Sequence, residues 1–175
     1  IWRALLNWVV SGSAAVICNS AETRRILIDA VGVAPERVHI CYPELSSDDL
    51  NVTSDPQDIS KVIPAHLDHM DMLLSVGRLW EEHKGFDTAI EALPRICADF
   101  PNTALVIAGP GDPTKLETLA DQCGVRDHVV FAGEVERQIL VELYRRSTMF
   151  VMPGRRLEDG RAEGFGMVYI EAALM

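Results

Sequence analysis

The sequence has little positive charge, few cysteines and no long apolar run, and each shortage removes a class of function. Sixteen Lys and Arg stand against 26 Asp and Glu in 175 residues, a net charge of −10. A nucleic-acid-binding surface needs Lys and Arg clustered against the phosphate backbone, so the net charge argues against general nucleic-acid affinity. Any anionic ligand must be held by a few local cations. The four cysteines, Cys18, Cys41, Cys97 and Cys123, are far apart, and no Cys-x-x-Cys pair points to zinc. Each lies in or beside an apolar run, which predicts reduced, buried packing in a cytoplasmic protein. No apolar run reaches the ~20 residues of a membrane-spanning helix, and no signal peptide is recognisable. The Gly-x-Gly-x-x-Gly spacing of dinucleotide-binding folds is missing too, which argues against an oxidoreductase of that kind. There is no initiator Met. The chain begins on an apolar helical pattern at Ile1-Trp2 and stops inside another at Ala172-Ala173-Leu174-Met175, and is expected to be a fragment cut at both ends.

What is present suits a sizeable core, since 48% of the residues are hydrophobic. Trp2, Leu5, Leu6 and Val9 fall at helical spacing, and residues 14–18 read as a short buried strand. Ser20 is placed to cap a helix over 21–31 that Gly32 ends, and residues 38–41 form another strand stopped at Pro43. From Glu44 to about Asp68 the composition turns to Ser, Asp, Pro and Thr, which predicts a solvated linker and a domain boundary. Asn51-Val52-Thr53 is formally a glycosylation sequon, but reduced-looking cysteines make the match a chance one. His66, Asp68, His69 and Asp71 could be drawn as metal ligands; in a polar linker they read as solvated side chains.

Beyond the linker, strand and helix alternate. Strands are predicted at 72–76, 104–108, 129–132 and 149–152. Helices are predicted from near Lys84 with Phe86, Ile90, Leu93 and Cys97 inward, after Asp112-Pro113 with Leu116, Leu119, Ala120 and Cys123 inward, and over 136–146 with Ile139, Leu140 and Leu143 inward. Fully apolar strands alternating with helices predict an α/β fold: a Rossmann-like parallel sheet with helices on both faces. Ligands bind beyond the carboxyl ends of such strands, here Gly77-Arg78, Gly109-Pro110-Gly111, Gly133-Glu134 and Pro153-Gly154.

The stretch from Glu163 to Glu171 sets two carboxylates either side of a glycine turn that opens a helix. Backbone N–H groups freed at a helix start attract phosphate, and glycine lets that backbone come close. At 1.5 Å of rise per residue the second carboxylate lies roughly two turns deeper, so the two serve different hydroxyl-bearing rings, as in a sugar nucleotide. Arg78 and Lys84 stand at the same sheet edge, where a cation pair can hold a diphosphate and neutralise a leaving group. Two solvated surface cations is the competing reading. Arg155, Arg156 and Arg161 lie on a loop with Gly154 and Gly160; closure over phosphates and simple solvation both stand for them. Gly-Pro-Gly at 109–111 is equally turn chemistry or a ligand contact. His83 reads as an exposed loop histidine.

Taken in order, Ser75-Val76-Gly77-Arg78-Leu79, Lys84-Gly85-Phe86-Asp87, Ala108-Gly109-Pro110-Gly111, Val130-Phe131-Ala132-Gly133-Glu134-Val135, Val151-Met152-Pro153 and Glu163-Gly164-Phe165-Gly166 with Glu171-Ala172 resemble the donor domain of retaining GT-B glycosyltransferases of family 4. The resemblance covers residues 72–175, and residues 1–43 are similar to the end of the acceptor domain in such enzymes. It implies domains at 1–43 (end of the acceptor domain), 44–70 (linker) and 71–175 (an incomplete nucleotide-sugar domain). It further implies that Arg78 and Lys84 bind the donor diphosphate, that Glu163 with the backbone of Gly164, Phe165 and Gly166 holds the hexose, that Glu171 bonds the ribose hydroxyls, and that Glu134 and Val135 meet the base. Neither a cofactor nor a metal is implied, because Arg and Lys replace the metal at the diphosphate. A front-face mechanism, in which the leaving phosphate oxygen takes the acceptor proton, fits the lack of a glycosidase-like carboxylate pair.

Tyr42-Pro43-Glu44-Leu45 departs from the family's usual Asn-Gly-Val-Asp and looks more like the Tyr-Pro-Pro variants of mannosyltransferases. Pro153-Gly154-Arg155-Arg156 is similar to phosphatidylinositol-type mannosyltransferases. The resemblance therefore implies hexosyl transfer, mannose favoured, from GDP-mannose or a UDP-sugar to a lipid or saccharide acceptor, with peripheral membrane contact left open through residues before Ile1. The fragment is expected to be inactive alone. A non-catalytic sugar-nucleotide-binding or scaffold domain of the same fold is the alternative.

Overall fold

The computed structural model describes residues 2–45 and 59–175, with side chains from Leu5 onward in the first stretch. The Asn51-Val52-Thr53 sequon and the side chain of Trp2 lie outside the described residues. The chain forms two compact units, Ile1–Leu45 with Gly164–Met167, and Ser46–Glu163 with Val168–Met175.

The first unit contains α1 (Trp2–Gly12), β1 (Val16–Cys18), α2 (Ala21–Asp29) and β2 (Val38–Ile40). β1 and β2 pair in parallel, Val16 opposite Val38 and Cys18 opposite Ile40. Ser20 caps α2 as its position predicts, its Oγ accepting the Thr23 N–H at 3.0 Å. Val10, Cys18, Val33 and Val38 form a small core. α1 forms as the spacing predicts, with Leu5, Leu6 and Val9 exposed at 47%, 43% and 51%, and Ile17 stands 73% exposed where a buried strand was expected. A two-stranded sheet of three residues per strand has too little surface to cover a whole helix stripe. Cys41 is also exposed rather than packed.

The second unit contains β3 (Asp71–Val76), α3 (Phe86–Asp99), β4 (Thr103–Ala108), α4 (Thr114–Gln122), β5 (Val129–Gly133), α5 (Arg137–Arg146) and β6 (Met149–Phe150), with α6 (Met167–Ala173) starting at the boundary. Its sheet runs β5-β4-β3-β6, and every pairing is parallel. The apolar runs hide an alternation that the layers reveal. Met72, Leu74, Val76, Ala104, Val106 and Ala108 face α5 and α6 through Leu143, Tyr144, Val168 and Ala172. Leu105, Ile107 and Val129 face α3 and α4 through Phe86, Ala89, Ile90, Leu93 and Ala120. Helices thus cover both faces, and the odd and even residues of each strand serve different layers.

The stretch up to Asp68 that reads as a solvated linker is, in its described part, packed. Ile59, Ile63 and Leu67, in and between two 3-10 turns, are only 3%, 4% and 6% exposed and join the α5/α6 layer. An apolar residue every fourth position puts all three on one side despite the polar composition. β6 is shorter than expected, with regular pairing over Met149–Phe150 and Met149 58% exposed. The edge is carried on by Val151 N–H to Leu74 O at 2.8 Å and by Ser75 Oγ donating to Val151 O. α4 begins at Thr114, with Asp112 Oδ1 accepting the Thr114 N–H at 3.0 Å.

Candidate functional site

The carboxyl ends of β3, β4 and β5 meet at one edge of the sheet. Gly77 N–H donates to Ala108 O at 2.9 Å, Leu79 N–H to Pro110 O at 2.9 Å, and Gly109 N–H to Gly133 O at 2.8 Å. A Cβ on Gly109, at φ +147, would run into the Gly77 carbonyl, so glycine there is what allows the ends to come so close.

Arg78 and Lys84 follow β3. Glu82–Lys84 make one 3-10 turn, which Gly85 closes at φ +76 with its α-carbon against the Pro153 carbonyl. The Lys84 stem lies along Gly77, where a Cβ would stand 3.1 Å from Lys84 Cε. Lys84 is consequently buried, and a buried ammonium needs a partner. It has two. Nζ donates to Glu163 Oε2 at 2.5 Å and lies 3.7 Å from Glu81 Oε2. Arg78 stays open to solvent at 62% side-chain exposure, its Nη1 3.3 Å from Glu81 Oε1. Glu81 therefore stands between the two cations, and together with Glu163 it cancels their charge.

Glu171 lies on α6 and is held at both oxygens. Arg137 Nη1 donates to Oε1 at 2.9 Å and the Tyr144 hydroxyl to Oε2 at 2.8 Å. Burial first, then the bond to Glu171, pushes the Tyr144 phenol far above its ordinary range, so it stays a neutral donor. Tyr169 anchors the same helix: its hydroxyl donates to Met152 O at 2.7 Å and its ring meets Phe150 edge-on at 5.5 Å. Burial, then the Glu163 charge, raises the Tyr169 phenol too. Glu134 is exposed and Val135 half-buried in the connection from β5 to α5.

Gly164, Phe165 and Gly166 group with the first unit. The Phe165 ring rests on Tyr42 at 6.0 Å between centroids, Gly166 is buried at φ +81, and a Cβ on Gly164 would find Asn19 Nδ2 at 3.8 Å.

The arginine loop is held chiefly through Arg155. Arg155 is bidentate on Asp87, Nη1 to Oδ1 and Nη2 to Oδ2 both at 2.6 Å, and its N–H donates to His83 O at 2.9 Å. It ties the loop to the start of α3. The guanidinium holds the Asp87 carboxyl below its usual range, and Asp87 raises Arg155 in return. Arg161 pairs with Asp159 at 2.7 Å and approaches Glu82 at 3.8 Å, while Arg156 is exposed. His83 is half-buried rather than exposed, with Nδ1 enclosed and unbonded among the described residues. Asp68, drawn above as a possible metal ligand, accepts from Arg146 at 2.7 Å. Among the described residues no group of three His, Cys, Asp or Glu gathers as a metal site.

A cleft of about 900 Å³ opens elsewhere, between Trp80, Phe86, Asp112, Lys115 and Leu119, and Lys84, Glu163 and Glu171 do not line it. Buried, paired charge at the strand ends makes them the candidate site.

The model of the family described as glycosyl transferases group 1 matches residues 57–174. The chain belongs to this family. Among relatives of this group 1 glycosyl transferase, the GDP-mannose-dependent alpha-(1-6)-phosphatidylinositol monomannoside mannosyltransferase of Mycobacterium tuberculosis is 32% identical over 174 residues, 98% of this chain and 44% of that protein. The phosphatidylinositol N-acetylglucosaminyltransferase gpi3 subunit of Schizosaccharomyces pombe is 29% identical over 174 residues, 99% of this chain and 35% of that one. The crystal structure of Anabaena HepE in complex with UDP and glucose aligns with a TM-score of 0.79 at 21% identity, over 98% of this chain and 45% of that one. The chain thus spans less than half the length of these relatives, and over that span it has the GT-B architecture.

Three residues at the site of this group 1 glycosyl transferase escape sequence reasoning: Glu81, Arg137 and Tyr144. The first had a signal, since Arg78, Glu81 and Lys84 are spaced by three. Arg137 and Tyr144 are seven apart, nearly two helical turns, and so share a face of α5. Nothing local pointed that face at Glu171.

Proposed function

We propose that this chain forms the donor-binding part of a glycosyltransferase that moves a hexose, mannose favoured, from a nucleoside diphosphate sugar to a lipid or saccharide acceptor. The observation that carries the reading is the Lys84–Glu163 pair, 2.5 Å apart beside the converging strand ends. Lys84 and Arg78 supply positive charge to the diphosphate as the bond from the sugar C1 to the β-phosphate oxygen breaks. Glu163 takes sugar hydroxyls, Glu171 takes ribose hydroxyls, and the Glu134–Val135 backbone meets the base. The acceptor oxygen bonds to C1 on the face the phosphate leaves, and its proton passes to the departing phosphate oxygen, which retains the anomeric configuration.

Mannose is favoured because the M. tuberculosis relative is named for GDP-mannose, and because Tyr42-Pro43 and Pro153-Gly154-Arg155-Arg156 are similar to mannosyltransferases. The test incubates the full-length protein with GDP-mannose, UDP-glucose and UDP-N-acetylglucosamine and reads transfer to lipid extracts and oligosaccharides by mass spectrometry. Transfer from GDP-mannose with retained configuration is the expected result. Tight nucleotide-sugar binding with neither transfer nor hydrolysis would replace the enzyme by a binding or scaffold domain.

A further inference from the structure

Glu171 is expected to face ribose, yet its carboxylate is already engaged from one side. Arg137 takes Oε1 at 2.9 Å and Tyr144 takes Oε2 at 2.8 Å. An ionised carboxylate offers about four lone-pair sites on two oxygens, so one bond to each leaves each oxygen able to accept another. Both bonds come from α5, and they fix the plane of the carboxylate as well as its position. The Glu171 side chain is only 12% exposed, so the rotamer freedom that ribose binding would otherwise remove is already gone.

The two donors differ in kind. Tyr144 is 3% exposed, stacked at a tilt on Phe150 at 6.0 Å, and kept neutral by burial; Arg137 is 38% exposed at the side chain and permanently charged. Tyr144 gives a buried reference point, and Arg137 sets a permanent positive charge 2.9 Å from Oε1. Arg137 is also the first residue of α5, two positions after Val135. The loop assigned to the base therefore leads within two residues into the donor that orients the ribose carboxylate.

We infer that Arg137 and Tyr144 are positioning residues that aim Glu171 at the ribose hydroxyls and so set the preference for ribonucleotide donors. The inference rests on the reading of Glu171 as the ribose ligand. Neither residue touches the donor in this account; both act through Glu171.

The test measures Kd by calorimetry on the full-length protein for GDP and 2′,3′-dideoxy-GDP, and for UDP and 2′,3′-dideoxy-UDP. The ratio within each pair cancels general effects of lost charge or loosened packing, which weaken both nucleotides alike. The wild type is expected to favour the ribo form of the base it accepts by at least about tenfold, as hydrogen bonds to a charged group allow. Glu171→Gln reports on the underlying reading, and Arg137→Ala, Arg137→Lys and Tyr144→Phe report on the inference. Collapse of the ratio to about twofold or less in Arg137→Ala and in Tyr144→Phe, with partial recovery in Arg137→Lys, is expected. A collapse in Glu171→Gln with an unchanged ratio in the Arg137 and Tyr144 variants overturns the inference alone. An unchanged ratio in Glu171→Gln, or a wild type without ribo preference, overturns the ribose assignment and the inference with it. If Arg137→Ala fails to fold, Tyr144→Phe decides, since it removes a single oxygen.

Discussion

Lys84 Nζ lies 2.5 Å from Glu163 Oε2 although 79 positions separate the two residues in the chain. The contact joins the turn after β3 to the end of the loop that precedes α6. It also means that the cation assigned to the donor diphosphate is already bonded to the carboxylate assigned to the donor sugar. Under the proposed assignment, donor binding divides the ammonium between the two, and Glu163 is oriented before any sugar arrives.

Glu163→Gln keeps the shape and one acceptor but gives up the charge that meets Lys84. Sugar hydroxyls lose an ionised partner, an interaction of about 1.5–3 kcal/mol. In the full-length protein we expect kcat/KM to fall roughly 10- to 100-fold with that loss. Affinity for the nucleoside diphosphate without sugar should hold or rise. Steady-state kinetics with the intact donor and calorimetry with the nucleoside diphosphate read the two effects separately.

Under the proposed assignment of Arg78 and Lys84, Glu81 competes with the donor diphosphate for both cations. Its oxygens stand 3.3 Å from Arg78 Nη1 and 3.7 Å from Lys84 Nζ. Because such pairs near the surface contribute about 0.2–1 kcal/mol, Glu81→Gln should tighten nucleoside diphosphate binding by roughly 1.5- to 5-fold. The gain should shrink as salt rises. Weaker binding in the variant would mean that Glu81 holds the cations in place rather than screening them.

Gly85→Ala puts a side chain into left-handed backbone at φ +76 and drives its Cβ into Pro153 O. The cost is about 1–3 kcal/mol for the backbone before the collision is counted. Gly124→Ala, at φ +70 with open space around the added Cβ, meets the backbone cost alone. Thermal melts should show a larger loss for Gly85→Ala, and only that variant should weaken donor binding, because Gly85 follows Lys84 directly.

The Asp87–Arg155 pair gives a pH signature. Arg155 lowers the folded-state pKa of Asp87, so the unfolded chain holds on to the proton up to higher pH than the folded one. The stability contributed is present above the unfolded Asp value of about 3.9 and is lost as pH falls through the lower folded value. Urea melts of wild type and Asp87→Asn should differ at neutral pH and begin to converge as pH falls below about 4. A difference that persists unchanged at pH about 2 would remove the ion pair as its cause.

Sequence pattern carries much of this architecture because β3, β4 and β5 are apolar runs closed by glycine, and a run buried on both faces needs no partner to be recognised. β6 is an edge of two paired residues, and its true extent depends on Leu74 and Ser75 of another strand. Ile59, Ile63 and Leu67 were hidden by polar neighbours, though their spacing of four was there to be read. At the site, Lys84 and Glu163 were legible as charges beside glycine turns. The hold on Glu171 was not, since Arg137 and Tyr144 lie 34 and 27 positions away and meet it only once α5 and α6 pack on the same face of the sheet. Arg155 misled for a related reason: Asp87, 68 positions earlier, claims it.

Under the proposed function Lys84 serves the donor diphosphate, and the decisive variant is Lys84→Met. Methionine keeps a stem against Gly77 while removing the ammonium. In the full-length protein, with the donor the wild type uses, kcat is expected to fall about 100- to 1,000-fold with the melting temperature little changed. Turnover at the wild-type rate in a folded Lys84→Met protein would contradict it.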